Sequence, residues 1–354
     1  MTLGLCMIVK NEQEILDRCL ISTSNIFDEI IIVDTGSSDN TVNIAKNYTD
    51  KIYHFNWIDD FSKARNYAFD LSTTDYIMWL DADDVLPEDT KEELIKLKNK
   101  LDSDINIYML KYNISFDSMN KPTFSYYRER IIKNNKLNKW TDRVHEYIPL
   151  TGNLSYTDIA INHISNKTIK SFRNIDIYED MKKKKEIFSS RNLYYYAREL
   201  YEHEKYTESI KTFNELLKQK DVWIEDVIDS CILLSHCYYF IGDIEMQLEY
   251  LLKTFSYTIP RKKVCCLIGN WFFNNNKYNE AIFWYETSLI IKDSKNYGFY
   301  ESDYEYFIPY LNLSVTYFKI GDKINAKKYH ELSKKIKPNN ELILTNENYF
   351  KILE

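Results

Sequence analysis

The segment YIMWLDADD (residues 76–84) decides the fold of the first half of the chain. An apolar run that predicts a buried strand is followed directly by three carboxylates. Similar apolar runs precede it at 3–9, 29–33 and 52–55, with helical spacing between them. Strands that alternate with helices predict a mostly parallel α/β sheet covered on both faces.

The pattern changes after residue 104. The runs 105–113, 123–133, 144–150 and 158–164 have strand character, and they predict antiparallel strands added to one side of the sheet. The first half is therefore predicted to be a Rossmann-like mixed sheet.

From about residue 166 the chain is helical and repeats itself. Four turns begin at Glu204, Gly242, Asn276 and Gly321, and small residues precede them at Ala197, Ser235, Gly269 and Ser314. These helix pairs resemble tetratricopeptide repeats, whose period is about 34 residues. We therefore predict a sheet domain over 1–165, a helical linker over 166–190 and an all-α repeat domain over 191–354.

Composition excludes several classes of protein. The 354 residues are 44% hydrophobic and 28% charged, as in ordinary soluble proteins, and the net charge of −7 argues against nucleic-acid binding. No apolar run reaches the roughly 18 residues that span a bilayer. The six cysteines follow no zinc-binding spacing and lie in apolar stretches, which favours a reducing, cytoplasmic setting.

Polar residues follow three of the predicted strands where each strand ends. Lys10 and Glu12 follow the first strand, Asp34 follows the second, and Asp81 and Asp83 follow the fourth. In open α/β sheets, ligands bind beyond these carboxyl ends. Asp34 suits either a tight turn or the acceptance of hydrogen bonds from a nucleoside.

Asp81 and Asp83 repel each other unless a positive charge lies between them. A hard divalent cation with oxygen ligands is the simplest solution, and it could also hold a diphosphate. We assign Asp84 instead to the loop and to the cap of the helix that Pro87 begins. Arg65 suits either phosphate recognition or a surface ion pair with Asp60.

Five motifs occur together in one order: CMIVKNE (6–12), VDTGSSDNT (33–41), FNWIDDFSKARNYA (55–68), WLDADD (79–84) and RVHEYI (143–148). Together they resemble glycosyltransferase family 2, which has the GT-A fold. The resemblance covers just under half of the chain. A short catalytic domain followed by tetratricopeptide repeats is similar to bacterial transferases that glycosylate peptides or proteins, including S-glycosyltransferases of glycosylated bacteriocins.

The resemblance implies an inverting hexosyl- or N-acetylhexosaminyl-transferase that uses a nucleotide sugar, most often UDP-linked. Asp81 and Asp83 match the DxD motif, in which the second Asp binds Mg²⁺ or Mn²⁺ and the first contacts ribose or sugar. Asp34 matches the acid that reads the nucleoside, and Arg65 matches a basic residue near the diphosphate. His163 matches a further metal ligand after the last strand.

The catalytic base is open among three residues. Glu146 is our first choice, and Asp142 and His145 are the alternatives. If 144–150 were a strand, His145 and Glu146 would point to opposite faces, and only one could face the site.

Two further alternatives remain for the whole chain. The acceptor could be a saccharide or a lipid-linked molecule instead of a peptide, or the chain could be a non-catalytic repeat adaptor. The repeats could hold the peptide acceptor, or they could build a homodimer.

Overall fold

The computed structural model describes residues 1–135, 137–165, 171–292 and 298–351. The chain forms two compact units: Met1–Ser115 with Ser125–Glu186, and Phe116–Phe124 with Ile187–Glu354. Part of the linker that the sequence predicts, residues 166–170, lies outside the described residues.

The first unit is built on a mixed sheet with strand order β3-β2-β1-β4-β7-β6-β8-β5. Its strands are β1 (Leu3–Val9), β2 (Glu29–Asp34), β3 (Ile52–His54), β4 (Tyr76–Trp79), β5 (Asp84–Val85), β6 (Ile107–Phe116), β7 (Pro122–Lys133) and β8 (Leu154–His163). Strands β1 to β4 are parallel neighbours, and β7 joins β4 antiparallel. The predicted mixed sheet is confirmed, although β8 runs parallel to β6.

Helices cover both faces of this sheet. They are α1 (Leu16–Ser22), α2 (Thr41–Ala45), α3 (Phe61–Leu71), α4 (Glu88–Lys98) and α5 (Arg173–Lys183). Alternate residues of β1 enter different apolar clusters, with Leu5 and Met7 in one and Cys6 in the other. A strand buried on both faces explains why residues 3–9 are apolar without alternation.

The predicted strand over 144–150 is wrong. The chain makes a turn there, closed by paired backbone hydrogen bonds between Thr141 and Tyr147 of 2.9 and 3.2 Å. Asp142 and His145 have left-handed φ values of 70° and 52°, which no extended strand accommodates. The apolar residues Val144 and Ile148 are buried although they lie in a turn, so their sequence pattern cannot be distinguished from that of a buried strand.

The second unit consists of paired helices. They are α6 (Ser190–Glu202), α7 (Tyr206–Leu216), α8 (Ile224–Phe240), α9 (Ile244–Lys253), α10 (Lys262–Asn274), α11 (Tyr278–Ile290), α12 (Phe307–Lys319), α13 (Lys323–Ile336) and α14 (Glu341–Lys351). A two-residue strand, β9 (Tyr300–Glu301), also lies in this unit. The four predicted turns each begin with a left-handed residue: Glu204, Gly242, Asn276 and Gly321.

The predicted small residues lie where paired helices touch. Ser209 Oγ donates to the Ala197 carbonyl at 2.8 Å, and Ser314 Oγ donates to the Ala326 carbonyl at 3.0 Å. A Cβ added to Gly269 would lie 2.4 Å from the Tyr285 ring. Close approach therefore explains why each position excludes a large side chain.

Among the described residues, none of the helices has the length and the apolar character needed to cross a bilayer. All six cysteines are buried thiols.

We predict that Gly269→Val destabilises the second unit by about 1–3 kcal/mol, because the added methyl groups collide with the Tyr285 ring. Thermal unfolding measures the effect. The exposed Glu280→Val on the partner helix is the control, and it should change stability by less than about 0.5 kcal/mol. Equal effects of the two substitutions would contradict the close packing of this pair.

Candidate functional site

A cavity of about 520 Å³ lies in the first unit, beyond the carboxyl ends of β1 and β4. Its lining includes eight of the ten candidate residues: Lys10, Glu12, Arg65, Asp81, Asp83, His145, Glu146 and His163. This volume suits a small-molecule ligand, which typically occupies about 300–1,000 Å³. Asp34 and Asp142 are not among the described lining residues.

Asp34 holds the turn that follows β2. Its carboxylate accepts the backbone N–H groups of Gly36 and Ser37 at 3.1 Å each, and His54 Nδ1 lies 3.5 Å away. Gly36 needs its left-handed φ of 106°, which a larger residue rarely adopts. Its neighbour Thr35 lines the cavity, so Asp34 fixes one wall of the site through this turn.

Arg65 joins two candidate carboxylates. Its Nη2 donates to Asp81 Oδ1 at 2.7 Å and its Nε donates to Glu146 Oε1 at 2.6 Å. The guanidinium carbon lies 4.9 Å from the ring centroids of both Trp79 and Trp140. Burial lowers the pKa of Arg65, but Asp81 and Glu146 outweigh it and raise that pKa above its ordinary value. Asp60, the alternative partner, caps α3 by accepting Lys63 N–H at 3.0 Å.

Asp83 and His163 lie together at the cavity. His163 Nδ1 lies 3.4 Å from Asp83 Oδ1 and 3.7 Å from Asp84 Oδ1. Ligand atoms of Asp83, Asp84 and His163 all lie within 4.8 Å of one another, and Asp81 is not part of this group. Burial lowers the pKa of His163, but the two carboxylates outweigh it and raise that pKa to about 10. The group therefore has the composition and spacing of a cation site.

The sequence predicts that Asp84 caps the helix that begins near Pro87. This prediction is wrong, because that helix has no side-chain cap. Asp84 is fully buried and pairs with Arg130, whose Nη1 donates to Asp84 Oδ2 at 2.8 Å. The same oxygen accepts the Asp81 N–H at 2.9 Å, and Oδ1 accepts the Tyr112 hydroxyl at 2.8 Å. Burial raises the pKa of Asp84, but Arg130 and these hydrogen bonds outweigh it and hold that pKa below its usual range.

The three candidate bases share one turn but not one environment. Glu146 lines the cavity and is held by Arg65. His145 also lines the cavity, and its ring stacks on Tyr178 with centroids 6.3 Å apart. Asp142 lies in the turn with a left-handed φ, and it is not among the described residues that line the cavity. The geometry thus separates Glu146 and His145 from Asp142.

Sequence reasoning missed several residues of the site, among them Arg128, Arg130 and Tyr112. Arg128 lines the cavity, whereas Arg130 and Tyr112 lie buried beneath the aspartates. A signal was present in YRERII (residues 127–132), because Arg130 directly precedes the apolar residues Ile131 and Ile132 of a predicted strand. An arginine on the buried face of a strand needs a buried carboxylate partner.

Family models match two parts of the chain. Residues 5–150 match glycosyl transferase family 2, and residues 309–340 match the tetratricopeptide repeat.

Two individual curated proteins are also similar to the chain. The chain is 29% identical to the SPbeta prophage-derived glycosyltransferase SunS of Bacillus subtilis over 64% of this chain and 56% of that protein. It is 46% identical to the TPR repeat-containing protein Synpcc7942_0270 of Synechococcus elongatus over 28% of this chain and 24% of that protein. The chain therefore spans about half the length of the first and about a quarter of the second.

Solved structures similar to the chain include that of YrrB, described as a TPR protein with an unusual peptide-binding site. It is 16% identical and covers 50% of this chain and 82% of its own, with a TM-score of 0.38. That score is too low to support an argument.

We predict that Arg130→Met destabilises the first unit by about 3–5 kcal/mol, because it leaves the Asp84 carboxylate buried without its cationic partner. Urea unfolding measures the loss. The control Lys111→Met removes an exposed ion pair with Asp158 and should cost less than about 1 kcal/mol. If both variants lose the same stability, the buried pair does not have the structural role assigned to it.

Proposed function

We propose that this chain, whose residues 5–150 match the model of glycosyl transferase family 2, is an inverting, metal-dependent glycosyltransferase that moves a sugar from a nucleotide sugar to a peptide or protein side chain. The observation that carries the proposal is the pairing of Asp83 with His163 on a cavity that Glu146 also lines. A cation-binding pair and a carboxylate base on one cavity are what such a transfer requires.

The donor is assigned to the part of the cavity beyond β1 and β4. Lys10, Glu12 and Asp81 line this part and are proposed to contact the nucleotide sugar. Asp34 is proposed to fix the nucleoside wall through the turn that it holds. The donor is proposed to be UDP-linked, as the family resemblance implies.

Arg65 is proposed to orient carboxylates instead of contacting the diphosphate directly. Two of its donor groups are already engaged by Asp81 and Glu146. Arg128 and Arg173 line the same cavity and can supply positive charge to the phosphates. A planar guanidinium suits this task because its parallel N–H groups match phosphate oxygens.

The metal is assigned to Asp83 and His163. Carboxylate oxygens are ligands for both Mg²⁺ and Mn²⁺, whereas an imidazole nitrogen favours a transition ion such as Mn²⁺. Bound there, the ion would stabilise the negative charge that builds on the departing diphosphate. Asp81 is already held by Arg65 and is proposed to face the donor sugar or ribose.

Glu146 is proposed as the base. Arg65 keeps its carboxylate oriented, and Glu146 receives the proton of the attacking acceptor group. The acceptor atom forms a bond to the anomeric carbon while the bond from that carbon to the diphosphate oxygen breaks. Inversion follows because attack and departure occur on opposite faces of the sugar.

The repeats are proposed to bind the acceptor. The second unit has its own groove of about 150 Å³, lined by charged residues of both signs. Arg261 pairs there with Glu225 at 2.5 Å, and Lys263 pairs with Glu301 at 2.5 Å. Apolar side chains such as Ile228 and Ile232 also line the groove, and a surface that mixes them with charges suits a peptide better than a lipid chain. The six buried thiols agree with the cytoplasmic location predicted from the sequence.

We predict that a UDP-sugar binds in the presence of Mn²⁺ or Mg²⁺, and that chelator or Asp83→Ala lowers the affinity about 10-fold or more. Calorimetric titration of a panel of nucleotide sugars measures this and identifies the sugar. The exposed Asp89→Ala is the charge-matched control and should bind as the native protein does. Absence of binding by any nucleotide sugar to folded protein would favour the repeat adaptor.

We predict that Glu146→Gln lowers transfer about 100- to 10,000-fold while donor affinity changes little, because the variant keeps the hydrogen-bond acceptor for Arg65 but cannot take a proton. Mass gain on peptides that contain Ser, Thr or Cys measures transfer, and oligosaccharide acceptors test the alternative substrate class. Asp142→Asn and His145→Gln are the comparisons. A larger loss in either of them than in Glu146→Gln would reassign the base.

A further inference from the structure

A continuous hydrogen-bond chain lies beneath the proposed metal pair. Arg130 donates to Asp84 Oδ2 at 2.8 Å, and the Tyr112 hydroxyl contacts Asp84 Oδ1 at 2.8 Å. The same hydroxyl oxygen lies 3.0 Å from His163 Nδ1. Arg130 and Asp84 are both fully buried, and Tyr112 is 6% exposed, so bulk water does not reach the hydrogen bonds among these three side chains.

The direction of these hydrogen bonds follows from the chemistry of their members. Both oxygens of Asp84 accept hydrogen bonds from protein donors, and the single hydroxyl proton of Tyr112 is donated to Asp84 Oδ1. The Tyr112 oxygen then accepts, and its donor is the Nδ1–H of His163. Asp83 Oδ1, which lies 3.4 Å from the same nitrogen, is also an acceptor. Both the Tyr112 oxygen and Asp83 Oδ1 are acceptors, so the nitrogen between them, His163 Nδ1, carries a proton.

We propose that Tyr112 is a positioning residue that, together with Asp84, holds His163 through its Nδ1–H, so that a divalent cation beside Asp83 binds Nε2 in place of the proton on that nitrogen. This inference rests on the metal site assigned under the proposed function. The inference also gives Asp84 a supporting role instead of a place among the metal ligands. Although Asp84 lies close to Asp83 and His163, protein donors already engage both of its oxygens. Groups that orient metal-binding histidines through the second ring nitrogen commonly affect metal affinity strongly.

The ring of Tyr112 is fixed independently of its hydroxyl. The Arg130 guanidinium lies 4.2 Å from its centroid, and the Tyr126 ring packs against its edge at 5.8 Å. Tyr112→Phe therefore keeps the packing and removes only the oxygen between Asp84 and His163. Tyr108 on the same strand offers a matched control, since its buried ring carries a hydroxyl that accepts the distant Asp102 N–H at 2.9 Å.

The test is a titration with MnCl₂, alone and with saturating UDP, in which electron paramagnetic resonance counts free Mn²⁺. We expect Tyr112→Phe to bind Mn²⁺ about 10- to 100-fold more weakly, with Tyr108→Phe unchanged. If Tyr112 acts through His163, the double variant Tyr112→Phe/His163→Ala binds no more weakly than His163→Ala alone. A purely structural role would instead add its loss to that of His163→Ala.

The outcomes separate this inference from the function on which it rests. If native protein binds no Mn²⁺, with or without UDP, the metal assignment fails and the inference fails with it. If native protein binds Mn²⁺ and His163→Ala weakens binding, but Tyr112→Phe behaves like Tyr108→Phe, only the role of Tyr112 is overturned. A crystal of native protein soaked in MnCl₂ tests the geometry without any variant: an ion on Nε2 supports the inference, and an ion on Nδ1 overturns it.

Discussion

The ion pair between Arg130 and Asp84 is the constraint on which the loop of Asp81 and Asp83 depends. Two charges without solvent exposure are stable only if each is neutralised and hydrogen-bonded. Asp84 meets that requirement by also accepting the Asp81 backbone N–H and the Tyr112 hydroxyl. The partners that satisfy one buried carboxylate thereby fix the loop that carries Asp81 and Asp83.

Trp79 links this buried pair to Arg65, which lines the cavity. The guanidinium of Arg130 lies 3.8 Å from its ring centroid, and that of Arg65 lies 4.9 Å away. The indole N–H donates to the Glu129 carbonyl, which fixes the ring in its plane. One aromatic side chain thus positions two arginines: one orders the aspartate loop from below, and the other orients Asp81 and Glu146 from the cavity. Charge placement in the site depends on this stack as much as on the carboxylates.

Much of the fold could be predicted because its signals are local. The apolar strands, the mixed sheet and the helix pairs follow from periodicity and turn residues, and the four repeat turns lie where the sequence predicted them. The roles of Asp84 and Arg65 could not be predicted, because their partners Arg130 and Glu146 are distant in the chain. The 144–150 segment was mistaken for a strand, since left-handed His145 leaves no signal in an apolar pattern. The nucleotide sugar, the acceptor and the identity of the base remain predictions.

The register of the sheet also affects how the protein reaches this state. Asp84 and His163 are directly opposed partners in the β5–β8 pairing, although about 80 residues separate them in the chain. Closing so long a loop is entropically costly, and such long-range contacts slow folding. During synthesis β8 emerges from the ribosome after all of β1 to β7. Strands β1 to β4 can therefore assemble on a nascent chain in which Asp83 and His163, the pair proposed to bind a metal ion, have not yet come together.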